Sequence, residues 1–196
     1  MTNEAVLTTR ASQIVLIVCT LGASWLGMQA IHELGHTVGA WATRATVERV
    51  VLHPLTISRT DLSHNPRPLL VVWAGPVLGC VLPLILWRLS CWASWSQSFL
   101  LRFFAGFCLL ANGLYIGIGS FDHVGDCGEM LRHGSPPWML WGFGAALAPA
   151  GLWLWHGQGP NFGWGTEPAT VDRRSLGYSV VALIGLLALG LFVGGR

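Results

Sequence analysis

The sequence predicts an all-α polytopic membrane protein. It should have about five transmembrane helices, with a short β-hairpin-like surface element after the first. Three observations predict it. Of the 196 residues, 53% are hydrophobic and only 10% charged, against about 25% charged in a soluble domain. The apolar residues fall in five runs, at about 12–42, 68–88, 99–120, 137–156 and 176–194. Most of these are close to the ~20 residues that cross a bilayer. The charge collects between runs, chiefly in 43–67 and 121–134. No repeat of 20–50 residues interrupts the chain, so 1–196 reads as one integral membrane domain.

The elements follow in order. Residues 1–10 form a short polar tail ending in Arg10. The apolar run 14–19 after it resembles the start of a signal peptide. The apolar character continues to Ile31, however, and Val18 is not the small residue expected before a lipidated Cys19. The segment reads as a retained helix. At about 12–42 it is longer than one span, so its C-terminal end should project or tilt. Residues 47–58 are rich in β-branched side chains, and Asn65-Pro66-Arg67-Pro68 closes the stretch. One or two short strands are expected, at the interface or against the helices, because polar strand edges cannot face lipid. The second span contains Ala74-Gly75-Pro76, and 89–98 reads as a polar loop. In the third, Asn112-Gly113, Gly117 and Gly119 signal a break or a close approach. Pro136-Pro137 opens the fourth, 157–175 is a Gly/Pro/Asn loop, and the fifth is plainly apolar.

Composition also excludes. All 11 basic residues are arginines, the net charge is +2, and no basic cluster marks a nucleic-acid partner. The partners implied are the lipid bilayer and other membrane proteins; oligomeric state is not encoded in any visible pattern. The 5 cysteines are scattered and make neither a disulfide framework nor a C-x-x-C site. Cys127 borders a carboxylate cluster, and packing is the preferred reading for it. The 11 tryptophans and 25 glycines fit interfacial anchoring and close helix contact.

Chemistry enters with His32-Glu33-Leu34-Gly35-His36, an H-E-x-x-H near the end of the first apolar run. A chain of this composition yields that pattern by chance about 0.006 times. On a helix the two histidines lie one turn apart on one face, the arrangement that holds one Zn2+. Glu33 between them can take a proton from a water in the site. Ionisable residues inside a span are costly, which favours function over mere packing. A catalytic zinc site takes three protein ligands. The first and third spans cross in the same direction, so the cluster at 121–134 should meet the motif at one membrane face. Its candidates are Asp122, His123, Asp126, Glu129 and His133. Asp122 and Asp126, at i,i+4, would share a face of a continuing helix. His53, His64 and His156 have weaker cases.

These residues together resemble the site-2 protease-like intramembrane zinc metallopeptidases. The resemblance covers about 20–135 and rests on three matches in order. They are Ile31-His32-Glu33-Leu34-Gly35-His36-Thr37, then a β-like stretch with Ala74-Gly75-Pro76 opening the next helix, then Asp126-Cys127-Gly128-Glu129-Met130-Leu131. The last stands where the family has Asp-Gly-Gly. Asn112-Gly113-Leu114-Tyr115 lacks the proline of the family's Asn-x-x-Pro. The resemblance implies zinc held by His32, His36 and Asp126, with Glu33 as general base. Asn112 would stabilise an oxyanion or contact substrate. Asp122 stands as the alternative ligand or as a carboxylate that orients a histidine.

The activity so implied is a membrane-embedded zinc endopeptidase acting on transmembrane or membrane-adjacent segments of another protein. The surface stretch could pair with the extended substrate by strand addition. The resemblance would place the site toward the cytosol, in a cell (inner) membrane. Arginines do not orient the chain: six on the motif side face five on the other. Two other classes stay open. One is a non-catalytic membrane protein of the same fold that binds a partner helix. The other is a small transporter or metal carrier, although paired broken helices are lacking.

Overall fold

The computed structural model describes residues 6–7, 10–165 and 170–194. Most of the polar tail, and Arg196 of the arginine count, lie outside the described residues. Helix α1 spans Arg10–Ala42. Strands β2 (Thr46–Val51) and β3 (Arg59–His64) follow, after a two-residue strand β1 (Val6–Leu7) that precedes α1. Then come α2 (Pro68–Trp92), α3 (Ser98–Gly119), α4 (Gly125–Arg132) and α5 (Pro137–Trp155). A 3-10 turn at Gly159–Phe162, strand β4 (Val171–Asp172) and helix α6 (Arg173–Gly194) complete the chain.

Four of the described helices, α1, α2, α3 and α6, are long and apolar enough to cross a membrane. The protein is therefore a helical, integral membrane protein. Helix α5 occupies the fourth apolar run but is not one of the four; its tryptophans, prolines and glycines lower its hydropathy.

The expected hairpin is present. β2 and β3 pair antiparallel, with Arg49 opposite Asp61 and Val51 opposite Arg59, and with a bulge near Val47. Arg49 and Arg59 both reach the Asp61 carboxylate, at 3.1 Å each. Three expectations are corrected. Helix α2 continues a turn into the expected polar loop, taking in Cys91 and Trp92. The loop 157–175 contains a 3-10 turn and β4, which pairs with β1. The helix carrying Asp126 starts only at Gly125, so Asp122 lies in the preceding turn and shares no helix face with it.

The glycines of α3 mark close approach rather than a break. A Cβ on Gly106 would lie 2.9 Å from the Gly151 carbonyl, and one on Gly117 would lie 3.0 Å from the Gly144 Cα. Residue numbers rise on α3 as they fall on α5, so the helices run antiparallel. Their contact extends over 11 residues of α3, about 16 Å at 1.5 Å per residue. Without a strong hydrophobic drive between helices in lipid, such small-residue contacts are what dispersion needs. The packed apolar groups follow: Val72, Ile116, Cys127, Met130 and Leu140 join α2, α3, α4 and α5 near one end. This cluster seats the short α4 against the long helices.

Candidate metal centre

The site is built where the end of α1 meets the start of α2 and the end of α3. Gly35 makes the first approach possible: a Cβ there would collide with the backbone of Ala74 and Gly75. Gly75 in turn leaves room for the His36 imidazole, which a Cβ would overlap. Ala74-Gly75-Pro76, uninformative alone, is thus the surface on which the motif rests.

His32, Glu33 and His36 are all buried, with Glu33 only 3% exposed. His36 Nδ1 lies 3.0 Å from the Val71 carbonyl oxygen, which can only accept. His32 Nδ1 lies 2.7 Å from Asn112 Oδ1. Asn112 Nδ2 donates to the Cys108 carbonyl at 2.9 Å, so its oxygen is the atom that faces His32. Both imidazoles therefore carry their proton on Nδ1 and present bare Nε2 lone pairs.

Those lone pairs converge on Asp126. Oδ2 of that residue lies 2.8 Å from His32 Nε2 and 3.3 Å from His36 Nε2. The three ligand atoms lie within 4.8 Å of one another. Two neutral imidazole acceptors against a carboxylate repel unless something positive joins them. Two extra protons would charge both buried rings; one metal ion satisfies all three atoms. The His32–His36–Asp126 group, buried at both histidines and partly buried at Asp126, can thus hold a metal ion, and two imidazole nitrogens with one carboxylate oxygen suit a divalent first-row metal. Where protons on the two Nε2 atoms stand in for the ion, as in the metal-free protein, the hydrogen bonds and charge of the histidines outweigh burial and hold the Asp126 carboxyl well below the usual carboxylate range.

Glu33 lines the same cavity as these three residues. Its Oε2 accepts a hydrogen bond from Thr60 Oγ1 on β3 at 2.8 Å, so the hairpin touches the motif directly. Glu33, both histidines and Asp126 open onto a cavity of about 900 Å³. Its walls include Trp25 and Met28 from α1, and Leu55 and Ile57 from the hairpin loop. That volume is at the upper end of the roughly 300–1,000 Å³ typical of ligand sites.

Of the expected residues, His32, Glu33, His36, Asn112 and Asp126 come together. Asp122 and His123 stay exposed in the turn before α4 and outside the three-ligand group. Glu129 and His133 line the same cavity but pair with each other at 3.2 Å, and Glu129 also pairs with Arg132, so both stay outside the three-ligand group. Cys127 is fully buried beneath the site; burial pushes its thiol up to about 11, which suits packing. Sequence reasoning missed Thr60, Tyr115 and the Val71 carbonyl. Nothing in the chain marks Thr60 or Val71, since their roles arise from pairing across elements. Comparison with protein-family models, curated proteins and solved structures found no match for this chain.

Proposed function

We propose that this protein is a membrane-embedded zinc endopeptidase, similar to the site-2 protease-like family, that cuts transmembrane or membrane-adjacent segments of protein substrates. One observation carries the reading. Two histidine Nε2 atoms and a carboxylate oxygen converge on a cavity among apolar helices that Glu33 also lines. His32, His36 and Asp126 would hold the ion. Zinc, when bound, supplies a Lewis acid that acidifies water and polarises a carbonyl.

The chain's own residues supply the rest. Glu33 takes the proton of the attacking water and returns it to the leaving amine. Thr60 holds one Glu33 oxygen, leaving the other free for that transfer. Asn112 and the Val71 carbonyl fix the ring orientations of the two histidines. An oxyanion contact from Asn112 would have to use its second amide proton, because the first is held by Cys108. The apolar hairpin loop and the strand edges suit an unwound substrate segment laid into the cavity by strand addition.

The same reading takes α5 as a fifth span, since it lies antiparallel along α3. It also places the site toward the cytosol of a cell (inner) membrane. The direct test counts zinc per chain in detergent-purified protein, with His36→Ala, Asp126→Asn and Asp122→Asn beside wild type. About one zinc, lost in the first two and kept in the third, is expected. Comparison of membrane proteins from cells expressing wild type or Glu33→Gln then seeks the cut substrate. A zinc-free, well-folded wild type, even after zinc is supplied, would favour the non-catalytic partner-helix reading instead.

A further inference from the structure

We infer that Tyr115 is a positioning residue for the third metal ligand: from α3 it sets where Asp126 sits relative to His32 and His36. The inference rests on the metal-centre reading above. It concerns a residue that the three-ligand set and the general base leave without a role.

Asp126 is carried by an eight-residue helix whose first backbone N–H groups have no partner within it. The residue before that helix is Val124, whose side chain cannot cap them. Tyr115 supplies the missing acceptor from another helix. Its hydroxyl oxygen accepts the Asp126 N–H at 3.0 Å. The Tyr115 carbonyl accepts from Cys127 Sγ at 3.1 Å, so one residue holds two successive residues of α4. The phenol ring stands edge-on to His32, with centroids 6.0 Å apart.

Gly125 is shaped to this contact. Its φ of +61° lies in the left-handed region, and a Cβ at this position would overlap the Tyr115 hydroxyl. Asn112 lies one turn before Tyr115 on the same face of α3, and it already holds His32. One face of α3 therefore orients two of the three ligands, His32 through a side chain and Asp126 through its backbone. The phenol proton has no acceptor among the described residues, and Tyr115 also lines the cavity.

Tyr115→Phe removes one oxygen and keeps the ring. The test measures cobalt(II) and zinc affinity by chelator competition on the purified full chain, with the visible absorption of the cobalt form. Loss of an outer contact to a ligand costs about 10- to 100-fold in metal affinity. That loss is expected for Tyr115→Phe, with an altered cobalt spectrum and near-unchanged melting. Gly125→Ala probes the same contact from the other side and should weaken metal binding similarly. The double variant should lose less than the product of the two, because the overlap is gone. Wild-type affinity and spectrum in Tyr115→Phe would overturn the inference and leave the metal centre standing. If Tyr115→Phe does not fold, unchanged affinity in Gly125→Ala overturns it. A wild type that binds neither metal overturns the metal centre and this inference together.

Discussion

The two ends of the helix bundle both bury polar side chains, and they do so differently. At the end where α1, α3 and α6 begin, donors meet acceptors around Gln13 and Asp172, while Arg102 Nε and Gln158 Oε1 are buried without a partner among the described residues. Gln13 Nε2 donates to the Phe162 carbonyl at 2.9 Å. Asp172 caps α6, accepting from the Ser175 N–H at 2.8 Å and from the Ser175 hydroxyl at 2.6 Å. The Arg174 N–H at 3.2 Å and Gln97 Nε2 at 3.3 Å add two more donors. At the other end, about 28 Å along α1 from Gln13, acceptors meet acceptors: two bare imidazole nitrogens face a carboxylate. Burial of polar groups is therefore common to both ends. A set of like-signed partners held together by packing belongs to one. That mismatch, rather than polarity in an apolar chain, marks the end that calls for a cation.

The comparison can be broken or sharpened by experiment. The largest effect is expected from Glu33→Gln, which should lower cleavage of an identified substrate by about 10²-fold or more while leaving zinc bound; undiminished cleavage would remove the endopeptidase reading. Next, adding zinc to the metal-free protein should raise its melting temperature in wild type and in Gln13→Leu. It should do nothing in His36→Ala. A zinc-induced rise that survives His36→Ala would mean the ion binds elsewhere.

Acid should probe both ends with one sign. Asp126 and Asp172 both titrate below the usual range in the folded chain. Burial of Asp172 is outweighed by its hydrogen bonds from Ser175 and Arg174. Each therefore contributes stability that is full above the ordinary carboxylate pKa of about 3.9 and is lost as the pH falls through the lower folded value. Melting of the metal-free protein between pH 7 and pH 3 should drop less in Asp126→Asn than in wild type. Asp172→Asn should show a smaller change of the same kind, because its carboxylate is better solvated. Equal acid sensitivity in wild type and Asp126→Asn would contradict the geometry of the centre. The smallest effect is expected from Ser179→Ala, which removes the 3.0 Å contact between the Thr20 and Ser179 hydroxyls. Interhelical hydrogen bonds in membranes average about 0.6 kcal/mol, so melting should shift slightly and zinc content not at all.

Much of this was legible in the chain because it depends on residues close in sequence. A long apolar run predicts a membrane helix, since lipid leaves the backbone no other partner than itself. H-E-x-x-H places two imidazoles one turn apart wherever the helix lies. The β-branched stretch ending in Asn-Pro-Arg-Pro predicted the hairpin. The resemblance favoured Asp126 over Asp122, but helix spacing by itself left both open, because that choice depends on where α4 begins. Val124, Gly125 and the Tyr115 hydroxyl set that start, and they meet only after α3 and α4 pack.

By itself, then, the sequence determined the membrane class, the motif helix and the pool of third ligands. Tertiary structure alone decided where α4 begins and so left Asp122 outside the group, that Thr60 reaches Glu33 from the hairpin, and that Asn112 and the Val71 carbonyl set both tautomers. The physical reason is range. Helix periodicity and burial in lipid act residue by residue along the chain. A metal centre needs atoms from α1 and α4 within hydrogen-bond distance, and only the packing of Gly35 on Ala74-Gly75 and of α4 on α3 brings them there.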